Sequence, residues 1–192
     1  YLLLDSYLLF GPPFTKYPTG NITFMIDFIL DSIRGNMIKS DRNLEIIDKR
    51  RDSMISKSQV VVRYAETDQM GIVHHSNYPV WYEIGRTDLI KETGITYSEL
   101  ERMGVMTPLV ELSCRYIGVA RYEDVLTVET SIAELTPSRI RFAYRVFKQG
   151  EDKPINTGST LHAWVNAKTF RPMSMKKHFP ELYQKMEAIK EP

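Results

Sequence analysis

Residues 64–78 read YAETDQMGIVHHSNY, and this stretch joins a β-strand pattern to a helical one. Before it, the run QVVVRY at 59–64 is rich in residues that favour strands. After it, apolar residues recur at helical spacing over 76–93, with Pro79 tolerated in the first turn and Gly94 as the stop. The Thr, Asp and Gly between the two patterns favour a turn. The stretch therefore predicts a strand, a turn and a long buried helix.

Working outward, the rest of the chain predicts mainly strands. A short second helix at 96–103 has Thr96 or Ser98 as its cap. Four β-rich runs separated by turns follow it, and a polar-faced helix closes the chain: 106–119, 124–135, 139–148, 156–166 and 178–189. The element order β-α-α-β-β-β-β predicts an α+β fold, in which the long helix packs on one face of a mainly antiparallel sheet.

The same stretch carries a resemblance to a known family. Its pattern Y-x-x-T-D-x-x-G-x-x-x-H-x-x-Y is followed by Trp81, Glu83 and Arg86. This resembles the 4-hydroxybenzoyl-CoA thioesterase family, including the branch associated with the Tol-Pal envelope system. Fainter likeness continues through 120–124, 138–142 and 169–172, so the resemblance covers the chain from Val60 onward. It implies a hotdog fold, with about five antiparallel strands wrapped around one long helix, and hydrolysis of an acyl-CoA thioester.

Asp68 is the residue to which the resemblance assigns catalysis. A carboxylate after a strand end and before a helix can face a carbonyl delivered at the helix N-terminus. It can act as a general base on water or as a nucleophile, and the sequence leaves both roles open. The backbone N–H near His75 is a candidate oxyanion donor, and the His75 side chain can orient water or polarise the carbonyl. Without the resemblance, Asp68 reads as a turn former or a helix cap.

Substrate-binding positions follow from the resemblance as well. In the opening motif they are Tyr64, Thr67, Gly71, Val73, Tyr78 and Glu83, and at a later strand they are Ser138 and Arg139. The residues by themselves also allow simpler interpretations. Glu83 and Arg86 are spaced as an ion pair on one helix face, and Tyr78 with its aromatic neighbours suits the core. Further cations for the CoA phosphates are Arg141, Arg171, Lys176 and Lys177.

Composition excludes several function classes. The chain has 192 residues with 25 basic and 24 acidic side chains, so a net charge of +1 provides no broad field for nucleic acid or an anionic membrane. Cys114 is the single cysteine, which excludes an intrachain disulfide and favours a reducing, cytoplasmic setting. Adjacent histidines on a helix point about 100° apart and do not easily share one ion. We predict no metal and no cofactor.

The region before Met54 differs from the rest. Residues 1–10 are apolar but are interrupted by Asp5 and are too short to span a bilayer, so no membrane insertion is expected. A polar, charged stretch at 35–53 follows. We expect residues 1–53 to be a poorly ordered or non-native extension, Met54 to be the native start, and residues 54–192 to be the hotdog thioesterase domain.

Two further questions concern assembly and the rival function. A five-stranded sheet on one helix leaves an edge strand exposed, so we expect a homodimer or a homotetramer, as the resemblance also implies. The site would then lie at the dimer interface, with CoA contacts partly from the second subunit. The alternative function is a noncatalytic module that binds acyl-CoA or acyl carrier protein, since a fold does not fix a function. Acyl chain length and the choice between CoA and acyl carrier protein as donor stay open.

Overall fold

The computed structural model describes residues 55–191, and its main feature is a five-stranded antiparallel sheet. The sheet has the strand order β1-β4-β5-β6-β3, and a two-stranded sheet pairs β2 with β7. The strands are β1 (Ser56–Val61), β2 (Val105–Met106), β3 (Leu109–Tyr116), β4 (Val125–Thr136), β5 (Arg139–Lys148), β6 (Pro154–Ala163) and β7 (Val165–Asn166). β1 and β3 are therefore the two edges of the large sheet.

One long helix packs against this sheet. The helices are α1 (Asn77–Glu92), α2 (Tyr97–Arg102), α3 (Met175–His178) and α4 (Pro180–Ala188). The buried face of α1 carries Tyr78, Trp81, Tyr82, Leu89 and Ile90, and these are the residues whose spacing predicts the helix. The α+β prediction of about five antiparallel strands around a long helix is confirmed.

Close packing fixes α1 against β4. Gly85 is buried in the middle of the helix, and a Cβ atom there would clash with the side chain of Thr130 and lie 3.1 Å from Val128 Cγ1. On the same helix, the ring of Tyr82 stacks on Tyr144 of β5, with 4.2 Å between centroids and 6° between planes. The position of α1 on the sheet is thus set by a small residue facing one strand and an aromatic stack on the next.

Several element bounds differ from the sequence prediction. The run predicted as one strand at 106–119 divides into β2 and β3, because Pro108 between them has no N–H to donate to a ladder. The run predicted as one strand at 156–166 is also divided, into β6 and β7. The predicted helix at 178–189 breaks at Phe179, whose φ of −139° and ψ of 63° are not helical and which precedes Pro180.

The structure shows which of the two candidate residues caps the N-terminus of α2. Thr96 Oγ1 accepts the Glu99 N–H at 3.2 Å, and the Glu99 carboxylate accepts the Thr96 N–H at 2.8 Å. This reciprocal pair is a capping box, so Thr96 is the cap and Ser98 lies within the helix.

The expectation for residues 1–53 falls outside the residues that the structure describes. Within 55–191, no helix combines the length and the apolar character that a membrane crossing requires.

Candidate active site

Asp68 lies in a tight turn between β1 and α1. A 3-10 turn over Tyr64–Glu66 leads into an isolated antiparallel bridge between Thr67 and Val73. The Asp68 N–H donates to the Ile72 carbonyl at 2.9 Å, and the Gly71 N–H donates to the Asp68 carbonyl at 2.9 Å. Gly71 has φ +70°, a conformation that glycine adopts without strain. The sequence thus folds here as a miniature hairpin with Asp68 at its tip.

The Asp68 carboxylate is held by one oxygen. Oδ1 accepts the Met70 N–H at 2.8 Å, which orients the side chain. From residues 55–191, Oδ2 receives no hydrogen bond, and the residue is partly buried. One oxygen is therefore fixed by the backbone while the other is available to a substrate or a water molecule.

Glu66 secures the base of this turn. Only 4% of the residue is exposed, and its carboxylate accepts the Arg63 N–H at 2.7 Å, the Arg63 guanidinium at 2.8 Å and the Trp81 indole N–H at 3.3 Å. Burial acts to raise the pKa of Glu66, but the hydrogen bonds from Arg63 and Trp81 outweigh it and hold the pKa below its ordinary value. The side chain is therefore a buried, charged anchor between the turn and α1.

The backbone of Glu66 reinforces the same connection. Its carbonyl accepts the His74 N–H at 2.8 Å and the Asn77 side-chain amide at 2.8 Å. Glu66 thus joins both sides of the hairpin and the first residue of α1. This role is not predicted from the sequence, because a single acid beside a turn has no periodicity that distinguishes a buried anchor from a solvated side chain.

His74 and His75 precede α1 and are exposed. Their rings lie 4.0 Å apart, and His74 Nδ1 is 2.8 Å from Ser76 Oγ. The Tyr116 hydroxyl at the end of β3 donates to the His75 carbonyl at 3.1 Å. In the described part of the chain, no group accepts the His75 N–H. A free donor is therefore present where the helix begins, at the position that the sequence predicts for an oxyanion contact.

The other predicted positions in the motif fall into two environments. Tyr64 is 77% exposed and packs edge-on against Tyr122, with 5.6 Å between centroids. Thr67 donates its hydroxyl to the Tyr64 carbonyl at 2.8 Å. Val73 and Tyr78 are buried in the core, and burial raises the pKa of Tyr78 to about 12. The motif thus contributes two surface residues beside Asp68 and two that support the turn from inside.

A further residue missed by the sequence analysis is Arg121. Its guanidinium donates to the Gly71 carbonyl at 3.1 Å. It lies in the loop before β4, 50 residues away in sequence, so only the folded chain brings it to the turn.

Glu83 lies along α1 rather than in the turn. Its carboxylate pairs with the Arg86 guanidinium at 2.7 Å, with the Glu83 side chain 68% exposed and that of Arg86 15% exposed. This is the simple ion pair that the spacing allows.

Ser138 and Arg139 are far from Asp68 in the same chain. The Asp68 turn adjoins the start of β4, where Val73 N–H donates to the Ala120 carbonyl at 2.8 Å and Val62 N–H to the Asp124 carbonyl at 3.0 Å. Ser138 and Arg139 follow the other end of that strand, which has 12 residues and a length of roughly 40 Å at 3.3 Å per residue. The structure does not bring these two predicted parts of the site together within one protomer.

The turn has the parts that acyl transfer requires: an oriented carboxylate with a free oxygen and a free backbone donor near a helix N-terminus. In residues 55–191, no cluster of three or more His, Cys, Asp or Glu side chains is placed to hold a metal ion.

Known proteins resemble this chain in sequence and in fold. A model of the thioesterase-like superfamily matches residues 62–185. YneP of Bacillus subtilis (strain 168), which carries the name of an acyl-CoA thioesterase, is 38% identical over 136 residues, covering 71% of this chain and 98% of YneP. The crystal structure of DHNA-CoA thioesterase from Staphylococcus aureus superposes with a TM-score of 0.65 at 32% identity, covering 70% of this chain and 92% of that one.

A plant relative extends the comparison to a second kind of donor. The chloroplastic acyl-acyl carrier protein thioesterase ATL3 of Arabidopsis thaliana is 26% identical over 165 residues, covering 82% of this chain and 86% of ATL3.

Proposed function

The chain belongs to the thioesterase-like superfamily, and from that membership we propose that it is an acyl-CoA thioesterase, which hydrolyses a CoA thioester to a free acid and CoA. The single observation that supports this best is the Asp68 turn, where a carboxylate with one bound and one free oxygen precedes the N-terminus of α1. The names of YneP and of the Staphylococcus aureus enzyme indicate the same reaction.

In the proposed reaction, Asp68 acts as a general base. Its free oxygen takes a proton from water, and the oxygen of that water forms a bond to the thioester carbon. The tetrahedral intermediate then collapses, the bond between carbon and sulfur breaks, and the CoA thiolate leaves and is protonated. As a nucleophile, Asp68 would instead form a mixed anhydride that water then hydrolyses. Label in the Asp68 carboxylate after a single turnover in ¹⁸O-labelled water would establish the nucleophilic route, because it enters when water attacks the Asp68 carbon of the anhydride. Attack at the acyl carbon leaves Asp68 unlabelled, so trapping of the anhydride with hydroxylamine completes the test.

Backbone N–H groups leading into α1 supply the proposed oxyanion contact. The His75 N–H is the candidate, since nothing in the described residues accepts it and it lies where helix donors are unsatisfied. The His75 side chain is exposed beside it and can orient water.

We propose that the active form is at least a homodimer joined along β3. Among residues 55–191, this edge strand pairs with β6 alone, and an unpaired, apolar edge favours association with another strand. Its large exposed apolar side chains, with those of the following loop, are Leu109, Val110, Leu112, Tyr116, Ile117 and Val119. A second copy of the chain fits this edge, because antiparallel pairing of β3 with itself satisfies both sets of backbone groups.

Such a dimer would also complete the proposed site. The end of β3 that contacts His75 lies at the Asp68 end of the sheet, whereas Leu109 at its start pairs with His162 at the Ser138 end. Antiparallel pairing by a twofold axis would set the Asp68 end of one subunit beside the Ser138 end of the other. Ser138 and Arg139 are then candidates to bind the CoA of the neighbouring subunit. A cytoplasmic location is proposed on the single cysteine.

The test is thiol release from CoA thioesters by the full chain and by its Asp68→Asn variant. Short, medium and long acyl chains and a benzoyl group are compared, which identifies the acyl class. We expect turnover by the parent and a loss of at least about 100-fold in the variant, since general-base groups contribute factors of this size.

Asp152→Asn is the matched control, because Asp152 is an exposed acid in the turn between β5 and β6. It should retain parental activity. Full activity in a folded Asp68→Asn protein would contradict the catalytic assignment. Binding of acyl-CoA without any thiol release would instead support the noncatalytic module.

A further inference from the structure

Charge is distributed unevenly along the described chain. Residues 55–166 hold 12 cationic and 14 anionic side chains, whereas residues 167–191 hold six cationic and three anionic ones. The near-neutral total therefore conceals a basic C-terminal segment. Because like charges close in sequence add to a local field, this segment presents a positive surface.

The cations of this segment form no ion pair with another residue in the described part of the chain. Within the described residues 55–191, all nine ion pairs use cations between Lys57 and Lys148. The C-terminal basic surface consists of Lys168, Arg171, Lys176, Lys177 and Lys185. All five of these residues are exposed. Their charges are available to an external anionic partner.

A groove lies beside this surface. It is a cavity of about 670 Å³ between the end of α1, α2 and the α3–α4 pair. Ile95, Phe179 and Leu182 form its apolar floor, and Ile95 and Phe179 pack on the core. Two acids also line the groove. The carboxylate of one of them, Glu99, accepts the Thr96 N–H in the cap of α2 and pairs with Arg102 at 3.8 Å. Glu181, in the first turn of α4, is the other.

The groove and the basic surface lie at the Ser138 end of the molecule. The Met175 N–H, at the start of α3, donates to the Pro137 carbonyl of the turn between β4 and β5 at 2.7 Å. The loop carrying Lys168 and Arg171 is joined to the end of α2 through the Ala167 N–H, which donates to the Gly104 carbonyl at 2.8 Å. In the proposed dimer, this end is adjacent to Asp68 of the second subunit.

We propose that the C-terminal basic surface and its groove dock an acidic, helical acyl carrier protein, which delivers its acyl thioester on a pantetheine arm to the neighbouring subunit. This inference rests on the proposed thioesterase function and names the donor that it accepts. An acidic amphipathic helix complements the site, with its apolar face over Ile95, Phe179 and Leu182 and its acids toward the lysines.

The extent of the basic surface favours a protein over a free CoA. The cations come from three separate elements, the loop after β7, α3 and α4, whereas a CoA molecule needs cations only at its phosphates. An apolar groove bordered by helices also suits a helix better than a nucleotide.

The experiment compares one acyl group on three carriers: an acyl carrier protein, CoA, and N-acetylcysteamine, which has neither a protein nor a phosphate. The double variant Lys168→Glu with Lys185→Glu, two exposed lysines of this surface of which Lys185 lines the groove, is measured against the full-length parent. We expect kcat/KM to fall about tenfold for the carrier-protein substrate, through KM. For the CoA and N-acetylcysteamine thioesters we expect it to stay within about twofold.

A matched control carries the same change in net charge elsewhere. Lys153→Glu with Gln59→Glu and Gln149→Glu alters three exposed residues on β1 and in the turn between β5 and β6, none of which forms an ion pair with another described residue. This control should leave the carrier-protein rate within about twofold. Equal losses on the carrier protein and CoA would overturn the docking proposal in favour of a phosphate contact, and an unchanged carrier-protein rate would overturn it outright.

A binding measurement separates this proposal from the proposed function. The Asp68→Asn protein is titrated calorimetrically with the acyl carrier protein, with and without the two charge reversals. Binding that weakens about tenfold on reversal and with added salt supports docking even if no thioester is hydrolysed. Absence of binding at low salt overturns docking even if CoA thioesters are hydrolysed.

Discussion

Two carboxylates two positions apart, Glu66 and Asp68, have opposite environments. Glu66 is buried and its charge is fully engaged by Arg63 and Trp81. Asp68 is partly exposed and keeps one oxygen free. The first residue therefore stabilises the turn, and the second is available for chemistry. We therefore propose that Glu66 is a positioning residue, which acts on the reaction through the placement of Asp68.

We predict that Glu66→Gln lowers kcat about tenfold while KM changes little. It should also lower the free energy of unfolding by about 1–3 kcal/mol, because the NH₂ group of glutamine cannot accept the hydrogen bonds that the Arg63 donors make to the carboxylate. Steady-state kinetics and thermal unfolding measure the two effects. Glu129→Gln is the control, since Glu129 pairs with Lys57 and Arg145 on β4, away from the turn. An equal loss of kcat in both variants would contradict the positioning role.

The charge of Glu66 also predicts a pH dependence. Its pKa lies below the ordinary 4.5 in the folded protein. As the pH falls, this carboxylate is therefore protonated in the unfolded chain before it is protonated in the folded protein. The stabilisation is therefore complete above about pH 4.5 and is lost as the pH falls through the folded pKa. Unfolding temperatures of the parent and of Glu66→Gln, measured from pH 7 to pH 3, should converge at acid pH. A constant difference across that range would show that the charge is not involved.

At the scale of elements, the packing of α1 on β4 depends on the absence of a side chain at Gly85. Thr130 and Val128 occupy the space that a Cβ atom would need. The helix that follows the candidate oxyanion donor is thus held at a close, fixed distance from the sheet.

We predict that Gly85→Ala destabilises the protein by about 1–3 kcal/mol through overpacking, although alanine favours a helix by about 1 kcal/mol over glycine. Chemical denaturation measures the change. Adding Thr130→Ala removes the clashing oxygen, so the double variant should regain part of the loss. A Gly85→Ala protein more stable than the parent would show that α1 does not approach β4 this closely.

At the scale of the whole molecule, the two predicted halves of the site lie at opposite ends of a sheet. Asp68 and the Ser138–Arg139 pair are separated by the length of β4. Joining them takes a second copy of the chain. Assembly along β3 is therefore proposed as a condition for substrate binding.

We predict complementation between two impaired variants. Asp68→Asn and Arg139→Ala homodimers should each hydrolyse CoA thioesters poorly. When the two chains are coexpressed, half of the dimers are mixed and each mixed dimer has one intact site, so about one quarter of the parental activity should return. Thiol release from the purified mixture measures it. Activity no higher than the mean of the two homodimers would contradict the shared site. It would mean that Asp68 and Arg139 of one chain belong to one site, or that Arg139 does not bind substrate.

Local sequence patterns were sufficient to predict much of the fold of this protein. Periodicity predicts the strand, turn and long helix around Asp68 and a sheet of about five antiparallel strands, all of which are confirmed. The motif led to the hotdog fold and to an acyl-CoA thioesterase, and the family match and the relatives confirm both. The roles of Asp68, His75 and the substrate-binding residues stay predictions. The undivided strand at 106–119 and helix at 178–189 were wrong, because Pro108 and the Phe179–Pro180 pair interrupt them.

The sequence by itself determined most of the elements and the turn that carries the candidate carboxylate, because both depend on residues within a few positions of one another. The tertiary structure alone decided that Glu66 is buried, that Arg121 reaches Gly71 and that Ser138 lies far from Asp68. It also decided that β3 is an edge of the described sheet and that Lys185 lines the groove beside the C-terminal basic surface. These properties depend on strand order and on contacts between residues distant in the chain, which no local pattern encodes.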